Sequence, residues 1–94
     1  MKVIVRARAQ GKTTEIIKEV QKNKGILLVH NEIERLRIED KYPELKGKVL
    51  SWKNITTKLY GTTAPLYIDN AEVLLREIVG YRDIETITLT GEII

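Results

Sequence analysis

The chain has 94 residues, 43% hydrophobic and 31% charged, with a formal net charge of +3 and a pI near 9.2. That length makes a single domain, 1–94, with a modest core, and the composition excludes a disordered chain. The lack of cysteine excludes a disulfide framework and any Cys-based zinc site, and the longest purely apolar run, ILLV at 26–29, is far short of the ~20 residues of a membrane span.

The N-terminus enters a strand-like pattern at once, with no signal peptide, so a cytoplasmic protein with no membrane association is expected. The mild basic excess fits either a solvated surface or a phosphate-rich partner, nucleotide or nucleic acid.

KVIVRA at 2–7 is β-branched and reads as a first strand. GKTTEIIKEVQKN at 11–23 follows, with Ile16, Ile17 and Val20 on one helical face. Gly25 punctuates, and ILLVH at 26–30 is a second strand. Asn31 reads as the N-cap of a second helix, with Glu34 completing a capping box; Ile33 and Leu36 line its inner face, with Leu45 as a further candidate, and Pro43 ends or bends it. KVLSW at 48–52 is a third strand, and Asn54 is placed to cap a short helical turn running to Leu59. LYID at 66–69 is a fourth strand. NAEVLLREIVG at 70–80 is a helix with Ala71, Leu74, Leu75 and Ile78 on one face and Gly80 at its stop. TITLT at 86–90 is a fifth strand. Strands alternating with helices predict an α/β fold with a mainly parallel five-stranded sheet and helices on both faces.

In such sheets ligands sit at the carboxyl ends of the strands, so the residues just after each strand carry the functional reading. After strand one stands RARAQGKTT, residues 6–14. Gly11 permits close approach of backbone to phosphate, Lys12 supplies charge for β- and γ-phosphates, and Thr13 offers a hydroxyl to Mg²⁺. After strand four stands LYIDNAE, where Asp69 either holds Mg²⁺ through water or caps the following helix. His30 ends strand two as a polar strand-end residue or, with Asn31, as a nucleic-acid backbone contact. Trp52 ends strand three as partial core or as a stacking platform for an unpaired base, with Lys53 and Lys58 beside it. Tyr60, Tyr67 and Tyr81 read as core and surface packing. Thr90 senses a γ-phosphate or simply expresses β-propensity.

With RARAQGKTT in a Walker A position and LYIDNAE in a Walker B position, the chain resembles a minimal P-loop NTPase of the additional-strand type. It is most similar to the first motor domain of superfamily 1 and 2 helicases and to very small P-loop proteins of bacteriophages. ILLVHNEIERL, VLSWKNITTKL and ITLTGE resemble the remaining strand segments of that domain. The resemblance implies a three-layer sandwich with strands one, four and five at the centre of the sheet, the fifth between the other two. It implies ATP with Mg²⁺ as ligands, Arg8, Ala9, Gln10, Gly11, Lys12, Thr13, Thr14 and Thr90 as nucleotide-binding residues, and Thr13 and Asp69 as metal ligands. Single- or double-stranded nucleic acid is the implied partner.

The chain departs from that family at Arg6 and Ala9, where loop glycines are usual, and at Asn70, where a catalytic glutamate follows the aspartate. An amide there orients water but cannot accept its proton. Glu72 is two residues late for the role and its helical position directs it elsewhere, so Glu92 is the better substitute. Lys12, Asn70 and Glu92 are thus the candidate catalytic residues, with slow hydrolysis expected. An arginine finger would come in trans, from another copy or a partner protein, with Arg76 and Arg82 available for such a role. The alternative is a non-enzymatic interaction or nucleic-acid-binding module with a relict loop.

Overall fold

A computed structural model describes residues 1–5, 11–55, 59 and 61–93. Among the described residues the strands form two parallel sheets, one of three strands and one of two. β2 (Ile26–Val29) lies centrally between β3 (Val49–Ser51) and β4 (Leu66–Ile68), while β1 (Lys2–Val3) pairs with β5 (Glu92–Ile93). Among the described residues three full helices accompany them, α1 (Lys12–Asn23), α2 (Glu32–Lys41) and α3 (Ala71–Ile78), with 3₁₀ turns at Pro43–Leu45 and Trp52–Asn54.

The sequence pattern explains the three-stranded sheet. β2 is apolar at every position because both of its faces are covered. Leu27 and Val29 pack with Val49 against Ile16, Ile17 and Val20 of α1 and Ile38 of α2. Leu28 and Leu50 point the other way and pack with Leu74 of α3, with Trp52 half-buried beside them. The register pairs Leu28 with Leu50 and with Ile68, and the Asp69 N–H donates to the Leu28 carbonyl at 3.2 Å, which anchors the tip of β4 beside β2.

Asn31 caps α2 as expected, its side chain accepting the Glu34 N–H at 2.8 Å. The Glu34 carboxylate pairs with Arg37. The inner face of α2 differs from expectation: Ile33 and Leu36 are exposed and Ile38 is its buried residue. Ile33, Leu36 and Ile38 do not share one stripe at 3.6 residues per turn, and packing against β2 selects Ile38. Likewise α3 buries Leu74, leaving Leu75 and Ile78 largely exposed. A 3₁₀ turn at Trp52–Asn54 precedes the turn expected after Asn54, where Ile55 is helical and the Leu59 N–H donates to the Ile55 carbonyl at 3.0 Å; residues 56–58, with Lys58, lie outside the described residues, as does Tyr60. Tyr67 packs against the core beneath α1, and Tyr81 is exposed.

The five-stranded sheet and the three-layer sandwich built on it do not form. TITLT at 86–90 is exposed and adopts no strand, and β4 and β1 belong to separate sheets. The last strand starts after Gly91 instead and runs along β1, Lys2 facing Glu92. Gly91 permits that pairing, since a Cβ there would lie 2.4 Å from the Met1 carbonyl oxygen. Alternating threonine and aliphatic residues favour extended backbone but do not choose a partner, because pairing is non-local.

Gly25 holds a second close approach, at the entry to β2. A Cβ there would lie 2.5 Å from Tyr67 Cε2 and 2.9 Å from the Pro65 carbonyl oxygen. The Ile26 N–H donates to that carbonyl at 2.8 Å, so the backbone has little room to retreat. Gly25→Ala is therefore expected to cost about 1–3 kcal/mol, a fall in Tm on the order of 10 °C, readable by thermal melting.

Candidate functional site

The turn into α1 and the tip of β4 meet. Gly11 caps α1 with φ 76° and ψ 15°, a left-handed conformation that favours glycine, and no side chain among the described residues caps the helix. The first N–H groups of α1 have no partner within the helix itself. Arg6, Arg8, Ala9 and Gln10 lie outside the described residues. Lys12 and Thr13 open the first turn and are half-buried, whereas Thr14 is exposed.

Thr13 Oγ1 donates to Asp69 Oδ2 at 3.0 Å, joining residues 56 positions apart in the chain. Asp69 is only 4% exposed. Its burial pushes the carboxyl above its ordinary range, against the Thr13 hydrogen bond and the Lys12 charge, which pull it down. Desolvation wins because the acid lies between the core and the sheet tip, with the carboxylates of Glu34 and Glu72 adding repulsion. Glu34 itself is held below its ordinary range by its hydrogen bond from Arg37.

Asn70 caps α3 with φ 53° and ψ 56°, again left-handed, and its Nδ2 donates a long hydrogen bond to Asp69 Oδ2 at 3.4 Å. Asparagine tolerates that backbone better than any other residue with a side chain of its kind except aspartate. The geometry thus supplies a backbone reason for an amide where the resembling family has glutamate. Asn70→Glu is expected to cost about 1–2 kcal/mol and Asn70→Gly far less, measured by denaturant unfolding.

Glu72 is not directed away from the site. Its Oε1 lies 3.8 Å from Lys12 Nζ. Glu72 stands in the first turn of α3, directly after the tip of β4 that carries Asp69. Glu92 stands opposite Lys2 in the β1–β5 ladder, at the start of β1 and not at its carboxyl end. Thr90 is exposed in the non-strand segment before it. The structure thus brings together Gly11, Lys12, Thr13, Asp69, Asn70 and Glu72, and leaves Glu92 and Thr90 elsewhere.

A cavity of about 600 Å³ adjoins this cluster, its wall including Lys12, Asp69 and Glu72 beside Val3, Ile68 and Leu89. That is within the usual size of a small-molecule site. No group of three or more His, Cys, Asp or Glu able to hold a metal forms among the described residues. One buried carboxylate and one hydroxyl, both hard oxygen donors, suit Mg²⁺ that keeps waters and shares a substrate's phosphates.

Away from the cluster, His30 Nδ1 is buried and has no hydrogen-bond partner among the described residues. Trp52 packs on the Leu28–Leu50–Leu74 cluster, with Lys53 Nζ 6.0 Å from its ring centroid. Arg76 lies 3.7 Å from Asp83 and Arg82 is exposed. No helix among the described residues is long and apolar enough to cross a membrane.

The chain matches no protein-family profile, no curated protein and no solved structure.

Proposed function

We propose that the chain binds a Mg²⁺-complexed nucleoside triphosphate, ATP foremost, between the first turn of α1 and the tip of β4. The observation that carries this reading is the 3.0 Å Thr13–Asp69 hydrogen bond with Lys12 alongside. A hydroxyl, a buried carboxylate and an ammonium converge at a helix N-terminus, a combination suited to a metal-bound polyphosphate.

In this reading Lys12 neutralises the outer phosphates, and the α1 N–H groups after Gly11 bind phosphate oxygens. Thr13 and Asp69 would hold the metal. The metal, when bound, neutralises polyphosphate charge. Burial of Asp69 favours the arrangement, because a cation relieves the desolvated carboxylate. Hydrolysis is slow, since Asn70 orients water without accepting its proton. Faster turnover needs an arginine from a second copy or a partner protein. A role on single- or double-stranded nucleic acid rests on the helicase-like resemblance, which is a weaker warrant than the site itself.

Calorimetric titration with ATP in Mg²⁺ and in EDTA tests the proposal. Saturable binding that requires Mg²⁺ is expected, and absence of heat in both conditions rejects it. The second reading, a non-enzymatic interaction module with a relict loop, is favoured by the separation of β1 from β4 into different sheets. It predicts no Mg²⁺-dependent affinity for nucleotide.

A further inference from the structure

We infer that Glu72 is a built-in counter-ion for Lys12, one that an incoming polyphosphate must displace and that thereby sets the anion affinity of the site. This rests on the reading of Lys12 as a phosphate-binding residue. The contact is direct, Lys12 Nζ to Glu72 Oε1 at 3.8 Å, and it bridges the first residue of α1 and the second of α3. Both carboxylates at the tip of β4 therefore bear on Lys12: Asp69 from its buried position beside Thr13, and Glu72 from the solvent side.

The two acids differ in what holds them. Asp69 is buried and receives the Thr13 hydroxyl, so it stays in place whatever binds. The Glu72 side chain is 64% exposed against 27% for Lys12, so it swings into water at little cost. Exposed ion pairs are weak, which makes Glu72 an occupant that yields and not a lock. Its charge also repels a polyphosphate approaching Lys12, and it acts on Asp69 in the same sense, raising that carboxyl. Competition and repulsion have the same sign, so removing the charge tightens anion binding.

An acid in the first turn of α3 also favours the helix dipole. That role alone predicts a small change in stability and none in affinity, so affinity separates the two.

The test is calorimetry of Mg·ATP and of inorganic tripolyphosphate at low and moderate salt. The proteins are the wild type, Glu72→Gln and Asp40→Asn. Asp40 is exposed near the C-terminal end of α2, and its variant changes net charge equally. Glu72→Gln is expected to bind both ligands about three- to tenfold tighter than wild type, with the gain shrinking as salt rises. Asp40→Asn is expected to stay within about twofold of wild type. Equal or weaker affinity in Glu72→Gln, with wild type still binding, overturns the inference and leaves the nucleotide reading intact. An equal gain in Asp40→Asn overturns it as a general charge effect. No saturable binding by any protein overturns both.

Discussion

Lys12→Ala is expected to weaken Mg·ATP binding by roughly 30- to 160-fold, the equivalent of about 2–3 kcal/mol for a charge-assisted contact. The fold should survive the change. Lys12 is half-buried in the first turn of α1, its ion pair among the described residues is the solvent-facing one with Glu72, and the α1 core residues Ile16, Ile17 and Val20 lie a turn or more beyond it. Melting temperature should therefore move little while affinity collapses. A Lys12→Ala variant that binds as tightly as wild type would remove the ammonium from the site, and with it the assignment of the α1 turn as the phosphate cradle.

Asp69→Asn should produce two effects of different kinds. The first is loss of the Mg²⁺-dependent part of nucleotide affinity, by about 10- to 100-fold as for other changes at metal-supporting groups. The second concerns stability and pH. Burial raises the Asp69 carboxyl above its ordinary value in the folded chain. Between the ordinary and the raised value, the folded state holds a proton that the unfolded state has released. Stability therefore falls as pH rises through that window and is level on either side of it. Asparagine has no such titration, so the stability of wild type relative to Asp69→Asn should fall with rising pH. A constant penalty from placing an amide in the buried site does not alter that sign. Denaturant unfolding of both proteins at a series of acidic to neutral pH values reads it directly. Wild-type stability that instead rises with pH relative to the variant would mean that Asp69 is stabilised, not strained, as a carboxylate. Mg²⁺ should narrow the gap for wild type at neutral pH and leave the variant unchanged.

The two halves of the candidate site were legible in the sequence because each is local. A strand followed by GKTT and a strand followed by an aspartate declare a sheet end and a helix start within a few residues, and Gly11 and Asp69 stand at those junctions. The Asn31 cap was legible for the same reason. What was not legible depends on choices between distant segments. TITLT carries the right local propensity for a strand, yet the chain pairs Glu92–Ile93 with Lys2–Val3, a choice that turns on the space Gly91 leaves beside Met1. Ile33 and Leu36 looked like a core stripe until the sheet selected Ile38. Asn70 looked like a lost catalytic carboxylate, and its backbone shows a left-handed cap that asparagine suits. Glu72 was discounted by its distance from Asn70, yet it meets Lys12, a contact between distant segments that local spacing does not show.

The central claim is that Lys12, Thr13 and Asp69 together hold a metal-bound polyphosphate. The most direct measurement is a crystal structure of the protein soaked with Mg²⁺ and a non-hydrolysable ATP analogue. The account predicts ordered triphosphate density within hydrogen-bonding distance of Lys12 Nζ and the α1 N–H groups, with a metal contacting Thr13 Oγ1 and linked through water to Asp69. A fully bound analogue with its phosphates elsewhere on the chain would contradict it.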